Sequence, residues 1–439
     1  MPRKLVLMVV DGMTPAAFER AIEDGKAPAL SFLAAHGEYR QATSVFPSLT
    51  PVCLTSIATG AGPGVHHVPS LVWWNRQERR IVEYGSSFPA LRAAGLSQSL
   101  LDTIFNMNAR HLSRDAVTVY EALEDAGLVA AAVNITCYRG RHRYLPTVPG
   151  LNRAAHGPRR FFFYGLFESD RTGARFAVRS RRSGSVDAYA AAVGRWLVTR
   201  DGFDFLAYYL SGYDYASHEG GPEGAAAEQA LEQVDAAIGA LFEAAGGPDE
   251  FLERYAVVLL SDHGQTSVER AVRLEEPFAD LADQVVVAAS NRAGQVYLLP
   301  QARVDAGELA RRLDGSVAVE LTLRWEGDEV VARREGADVP VEELEHPDAA
   351  WRARSALANP NAGELLVSAA EGWELTDLGG RHHVGGGSHG SLAAGDSFVP
   401  LLTVGLQAEL RRITDVAPAV LDHFGVREPP SMEAAAGVG

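Results

Sequence analysis

Cysteine is scarce in this 439-residue chain, and long hydrophobic runs and an excess of positive charge are absent. Two cysteines, Cys53 and Cys137, cannot build a disulfide framework, so a reducing compartment is expected. No apolar run approaches the roughly 18 residues that a membrane span needs. The run Leu5–Val10 is brief, ends at once in an acidic residue and lacks a small-residue cleavage site, so it reads as a buried strand rather than a signal peptide. A cytoplasmic protein without membrane attachment is the expectation. Lys and Arg number 40 against 56 Asp and Glu, a formal charge of −16. That charge repels polyphosphate backbones and argues against stable nucleic-acid binding. No fixed-period repeat is present, and the only low-complexity stretch is the tail 432–439, expected to be disordered. What remains is 47% hydrophobic and 22% charged residues, an ordinary globular composition able to bury a large core.

Several segments read as an apolar strand, a polar turn and an amphipathic helix, the pattern of an α/β fold with a mostly parallel central sheet sandwiched by helices. Leu5–Val10 leads to a helix starting at Thr14-Pro15, a capping hydroxyl followed by proline at the first helical position. Val129–Val133 follows a helix over Ala116–Ala126 that Gly127 ends. Phe205–Leu210 precedes a glycine-rich turn and the alanine-rich helix Glu223–Ala245. Ala256–Leu260 ends in Ser261-Asp262, and Val399–Val404 is a late strand. Two regions fit this pattern poorly and are predicted to be cap insertions in a single domain over 1–431. The first, 135–183, carries Arg139, Arg141, Arg143, Arg159 and Arg160 beside Phe161-Phe162-Phe163-Tyr164. The second, 301–358, carries a helix near Ala306–Leu313 and β-like Val317–Trp325. The arginine cluster at 139–143 could meet a substrate phosphate or form a solvated loop.

Three strands each deliver an aspartate: Asp11 after Leu5–Val10, Asp214 after Phe205–Leu210 and Asp262 after Ala256–Leu260. Ligands of open α/β sheets bind beyond the carboxyl ends of the strands, so the three carboxylates are predicted to converge. They would repel one another, and a bound cation is the simplest way to hold them together at neutral pH. Histidines accompany them. His218 follows Asp214 by four residues, His263 is adjacent to Asp262, and His389 lies in a run of glycines, Gly385-Gly386-Gly387-Ser388-His389-Gly390, that lets backbone approach a crowded centre. Nitrogen and oxygen donors without thiolates suit zinc, with manganese the alternative. The candidates exceed the roughly four ligands of one tetrahedral zinc, so two metal ions are predicted.

A nucleophile is sought in the segment Phe46–Gly60. Thr50 followed by Pro51 reads as N-cap and first helical position, which sets a hydroxyl at a helix N-terminus, where free N–H groups favour an anion such as a phosphoryl group. An ordinary threonine cap is the plainer alternative. Ser48, Thr55 and Cys53 compete for the role, and an apolar environment would leave the Cys53 thiol inert.

Taken together, Asp11-Gly12, the Phe46–Gly60 segment, Asp214…His218 with Glu219-Gly220-Gly221-Pro222, Ser261-Asp262-His263-Gly264 and Gly387-Ser388-His389-Gly390 resemble the alkaline phosphatase superfamily. The resemblance is to its nucleotide pyrophosphatase/phosphodiesterase branch, with the motifs in family order from residue 5 to about 405. It implies one zinc held by Asp214, His218 and His389 and a second held by Asp11, Asp262 and His263. It also implies that Thr50 is the nucleophile, bridging toward the second metal. The expected activity is hydrolysis of a phosphodiester or pyrophosphate bond in a small phosphate ester or nucleotide, through a covalent phosphothreonine. A phosphomonoesterase or phosphonate hydrolase on the same scaffold is the enzymatic alternative, and an inactive metal-binding scaffold the non-enzymatic one. Sulfatases fit less well, because Cys53-Leu54-Thr55-Ser56-Ile57 lacks the Pro and Arg of their motif. The chain also departs from its branch. Leu71 or Ser70 stands where an Asn usually contacts the phosphoryl oxygen, and Asn75 is out of register. His382 and His383 read as surface or supporting residues, and His36, His111, His142, His156, His346 and His423 as structural.

Overall fold

The computed structural model describes residues 2–148, 152–170 and 185–432. Its centre is an eight-stranded sheet in the spatial order Glu38–Thr43, Phe398–Val404, Tyr255–Leu260, Lys4–Val10, Phe205–Leu210, Ala130–Val133, Arg160–Phe163 and Phe167–Glu168. The five strands from Tyr255–Leu260 to Arg160–Phe163 are mutually parallel, and antiparallel strands finish both sides. The first strand shows why its sequence reads as a continuous apolar run. Leu5, Leu7 and Val9 join one hydrophobic cluster and Val6, Met8 and Val10 another, because alternate side chains of a strand point to opposite faces and both faces are covered. Helices Pro15–Glu23, Pro28–His36, Ser185–Arg200, Ala225–Ala245 and Pro248–Arg254 cover one face. Thr50–Thr59, Val119–Asp125 and Val416–His423 cover the other. Thr14 caps its helix as read from the sequence, its hydroxyl accepting from the Ala17 amide.

The region 135–183 differs from the expected insertion. Arg160–Phe163 is a parallel strand of the main sheet, with Phe161 and Phe163 in one cluster and Phe162 in the other. An aromatic run buried on both faces is what an interior strand requires. His142–Tyr144 and Ala155–Gly157 form a separate hairpin beside it, and residues 149–151 and 171–184 lie outside the described residues. The region 301–358 is part of a larger unit. Its six-stranded antiparallel sheet begins at Val285–Ser290 and Ala293–Leu298 and takes in Leu365–Ala369 as an interior strand. The tail expectation falls outside the described residues apart from Met432, which is buried in the core.

Candidate active site

The strands Tyr255–Leu260, Lys4–Val10 and Phe205–Leu210 are parallel neighbours, so their carboxyl ends meet at one edge. The structure brings Asp11, Asp262 and His263 together in one group and Asp214, His218 and His389 in another. Within each group one donor atom per residue lies within 4.8 Å of the others. Asp214 and His218 sit one turn apart on the short helix Gly212–Gly220, where the sequence suggested only a turn. Their side chains approach to 3.3 Å between Nε2 and Oδ2. His263 Nε2 lies 3.3 Å from Asp11 Oδ1 and 3.5 Å from Asp262 Oδ2. The rings of His263 and His389 stack at 3.6 Å, so the two groups share a wall. Close backbone approach underlies this crowding. A Cβ on Gly386 would lie 2.0 Å from the His218 carbonyl oxygen, and one on Gly12 would lie 2.8 Å from Asp214 Oδ1.

All three histidines are fixed in the same tautomer. Nδ1 of His218 donates to the Gly387 carbonyl at 2.8 Å, Nδ1 of His263 to the Gly264 carbonyl at 3.0 Å and Nδ1 of His389 to the Ser48 carbonyl at 2.7 Å. A carbonyl only accepts, so each Nδ1 carries a proton and Nε2 is the atom turned to the centre, where the neutral ring offers its lone pair. That is the arrangement of metal-binding imidazoles, whose second nitrogen is held by an oxygen. The carboxylates fit the same reading. Asp11 Oδ1 and Asp262 Oδ2 are buried without a hydrogen-bond partner among the described residues, a costly state unless a cation completes them. Burial, then the charge of Asp214, pushes Asp262 up to about 7. Burial, with the charges of Asp262 and Asp214, holds Asp11 well above the usual carboxylate range. Burial opposes charge on His218, yet Asp214 outweighs it and raises that imidazole to about 9. Burial and the neighbouring His263 keep His389 far below the ordinary histidine value. The protein alone thus resists placing its full negative charge here, and a divalent ion in each group would relieve that resistance.

Thr50 faces this centre. It is the first residue of the helix Thr50–Thr59, with Leu49 rather than Thr50 in the cap position and no side-chain cap bond. Its Oγ1 lies 3.0 Å from His263 Nε2, so the hydroxyl faces the clustered acids and histidines and does not cap the helix. The competitors are engaged elsewhere. Ser48 Oγ donates to the Ser391 carbonyl at 3.0 Å and Thr55 Oγ1 to the Pro51 carbonyl at 2.6 Å, both fully buried. Burial also pushes the Cys53 thiol well up, leaving it inert.

Sequence reasoning missed four neighbours of the centre. Tyr209 donates its hydroxyl to Asp11 Oδ2, but in a buried strand a tyrosine reads as core. Gln265, three residues beyond Asp262, donates to Asp214 Oδ1, and its closeness to the Asp-His-Gly motif was a usable signal. Glu374 accepts from His383 Nδ1 at 2.7 Å, and the His383 ring stacks on His218 at 4.1 Å. Asn291, in a hairpin turn of the second sheet, brings Nδ2 to 3.3 Å from His389 Nε2. Asn75 is not in the centre, because its Oδ1 accepts the amides of Gln77 and Glu78 in a turn. Arg139 and Arg141 are engaged by Glu121 and Asp125, and Arg160 by Asp170.

Comparison with known proteins bears on the family and on the fold. Residues 5–392 match the family profile "Type I phosphodiesterase / nucleotide pyrophosphatase". Among solved structures, phosphonoacetate hydrolase from Sinorhizobium meliloti 1021, in complex with phosphonoformate, is similar with a TM-score of 0.67 and 20% identity over 96% of each chain. Murine ectonucleotide pyrophosphatase / phosphodiesterase 5 is similar with a TM-score of 0.66 and 14% identity over 97% of this chain and 96% of its own. An inactive form of the murine protein was solved in complex with AMP. No curated protein sequence matches. Among the described residues no helix is long and apolar enough to cross a membrane.

Proposed function

Because the chain belongs to the type I phosphodiesterase / nucleotide pyrophosphatase family of phosphoric ester hydrolases, we propose that it cleaves a phosphodiester or pyrophosphate bond through a covalent phosphothreonine at Thr50. In this reading Asp214, His218 and His389 hold one divalent ion, and Asp11, Asp262 and His263 hold the other, with Thr50 beside the second. Zinc is the expected metal and manganese the alternative, since the donors are imidazole nitrogens and carboxylate oxygens without thiolate. The observation that carries the reading is the Thr50 hydroxyl 3.0 Å from a histidine whose Nδ1 is held by a carbonyl and which belongs to one of two adjoining three-donor groups.

When bound, two divalent ions supply Lewis-acid charge for a phosphoryl group and lower the pKa of a nearby hydroxyl. The side chains do the rest. The three backbone-held imidazoles keep their lone pairs aimed inward, and Tyr209 and Gln265 orient Asp11 and Asp214 by donating to them. Thr50 Oγ1 loses its proton to solvent and attacks phosphorus, forming an O–P bond as the bond to the leaving oxygen breaks. Water then hydrolyses the Thr50 phosphoester, restoring the hydroxyl and releasing a phosphate monoester. The substrate is a small phosphate ester or nucleotide, and the buried, unbridged Cys53 and Cys137 are in keeping with a reducing, cytoplasmic setting. The protein acts as one catalytic unit over 1–431.

The test is to strip the protein with a chelator, restore zinc or manganese, count metal by elemental analysis, and assay a chromogenic diester, monoester and phosphonate. The expected result is close to two ions per chain and fastest turnover of the diester. Full diester turnover by metal-free protein would end the two-metal reading. Preference for the monoester or phosphonate would transfer the proposal to the alternative chemistry.

A further inference from the structure

A phosphoryl group undergoing displacement gathers charge on its non-bridging oxygens, and a fixed side-chain donor is the usual complement to metal ions there. Leu71 carries no donor, Ser70 is buried, and Asn75 is occupied by its turn. The Gln265 amide at the centre is already committed to Asp214 Oδ1, and a second side-chain amide comes from the second sheet.

Asn291 joins the strands Val285–Ser290 and Ala293–Leu298 and adopts a left-handed backbone, with φ at +58°. Its position is fixed from several sides. The Leu375 amide donates to the Asn291 carbonyl at 2.7 Å, and the Arg292 amide donates to the His389 carbonyl at 2.9 Å. The side chain is buried at 5% exposure. Ser290 Oγ donates to Asn291 Oδ1 at 2.8 Å, which sets the amide so that Nδ2 faces His389 Nε2 at 3.3 Å. His389 Nδ1 already donates to Ser48, so Nε2 has only a lone pair and the Asn291 amide is the donor. Among the described residues Nδ2 has no other acceptor.

That lone pair is also the one His389 would offer to the metal group it shares with Asp214 and His218. A lone pair serves one partner. Once an ion takes it, the Asn291 amide loses its acceptor while Ser290 and the two backbone bonds still hold it at the same place. A buried N–H left in that state seeks an acceptor at the centre. A neutral amide also suits a cation-rich site, since it donates to an anionic oxygen without repelling the ions as Lys or Arg would.

We propose that Asn291 donates to a non-bridging phosphoryl oxygen of the substrate, supplying from the second sheet the amide that Ser70 and Leu71 do not. This inference rests on the two-metal reading above. It is tested in the full-length, zinc-loaded protein with Asn291→Gly, which keeps the left-handed backbone without strain, and Asn291→Asp, which keeps the shape and exchanges the donor for an acceptor. Metal content is counted, orthovanadate binding is measured by calorimetry, and kcat/KM is determined for the diester. The inference expects both variants to keep the wild-type metal content, to bind orthovanadate at least about tenfold more weakly, and to lose on the order of 10²–10³-fold in kcat/KM. Vanadate affinity and kcat/KM within about twofold of wild type, in a glycine variant with full metal content, would overturn it. So would loss of metal in proportion to activity, which would make Asn291 a support for His389. Wild-type protein that binds no metal would instead overturn the underlying two-metal reading, a separate and recognisable failure.

Discussion

Replacement of Thr50 by alanine separates stability from catalysis at one atom. The hydroxyl makes one hydrogen bond, to His263, and the helix it begins takes no side-chain cap from it. Its loss therefore removes about 1 kcal/mol of net hydrogen bonding and up to about 0.8 kcal/mol of methyl burial, with no capping term. At roughly 2.1 cal/mol/K per residue, unfolding of a chain this long shifts by only about 2 °C for such a loss. Catalysis should respond on another scale. Without Oγ1 the covalent route is closed, and a fall of about 10³-fold or more corresponds to roughly 4 kcal/mol of barrier. Thr50→Ser, which keeps the hydroxyl, should retain part of the activity. The assay pairs a melting curve and a metal count with diester turnover and with mass spectrometry after rapid acid quench. The quench should find phosphate on the peptide containing Thr50. An alanine variant with near-normal turnover, or phosphate trapped on Ser48 or Thr55, would refute the assignment even with both metals present.

Three further outcomes are expected. His389→Ala should lower metal content by one ion, weakening the group of Asp214 and His218, and Asp262→Asn should empty the other group. Elemental analysis that finds both ions and full activity in either variant would show the ligand sets to be wrong. Acid stability should depend on His66, which is buried, accepts the Val68 amide at Nδ1 and faces Ser56 Oγ through Nε2. Burial, then the neighbouring His67, holds it down to about 3 from an ordinary 6.5. The unfolded chain therefore takes up a proton between those values that the folded chain refuses, and stability falls as the pH drops through that window. At about pH 5 the loss is about 2 kcal/mol. Urea unfolding of wild type and His66→Gln at about pH 5 and about pH 7 should show this slope in the first and a shallower one in the second, and equal slopes would remove His66 as its source.

The readability of the chain varied with the kind of signal. Asp11, Asp214 and Asp262 were visible as a set because each follows a buried apolar run, and parallel neighbours bring such ends together. Thr50 stood out through Pro51, although the sequence could not tell a cap from a nucleophile. The fold shows that the hydroxyl makes no cap bond and lies beside His263, a neighbour no local signal gives away. Phe161-Phe162-Phe163 misled, because an aromatic run beside arginines resembles a covering loop until its alternating burial is seen. Tyr209 and Asn291 carried no local mark, since one looks like core and the other like a hairpin turn. Their relation to the centre depends on contacts between Tyr209 and Asp11 and between Asn291 and His389, each far apart in sequence.

The placing of Phe398–Val404 between Glu38–Thr43 and Tyr255–Leu260 has a consequence for biosynthesis. During translation the strand Glu38–Thr43 emerges about 350 residues before its sheet partner Phe398–Val404. Until then one edge of the parallel strands stays open, and open edges invite pairing with other chains. His389 emerges only just before that closing strand, so a chain cut short before His389 lacks both the closed sheet and one member of the candidate donor groups. Completion of the sheet and of the candidate centre then fall at nearly the same stage of synthesis, and products cut short before His389 should be both inactive and prone to aggregate.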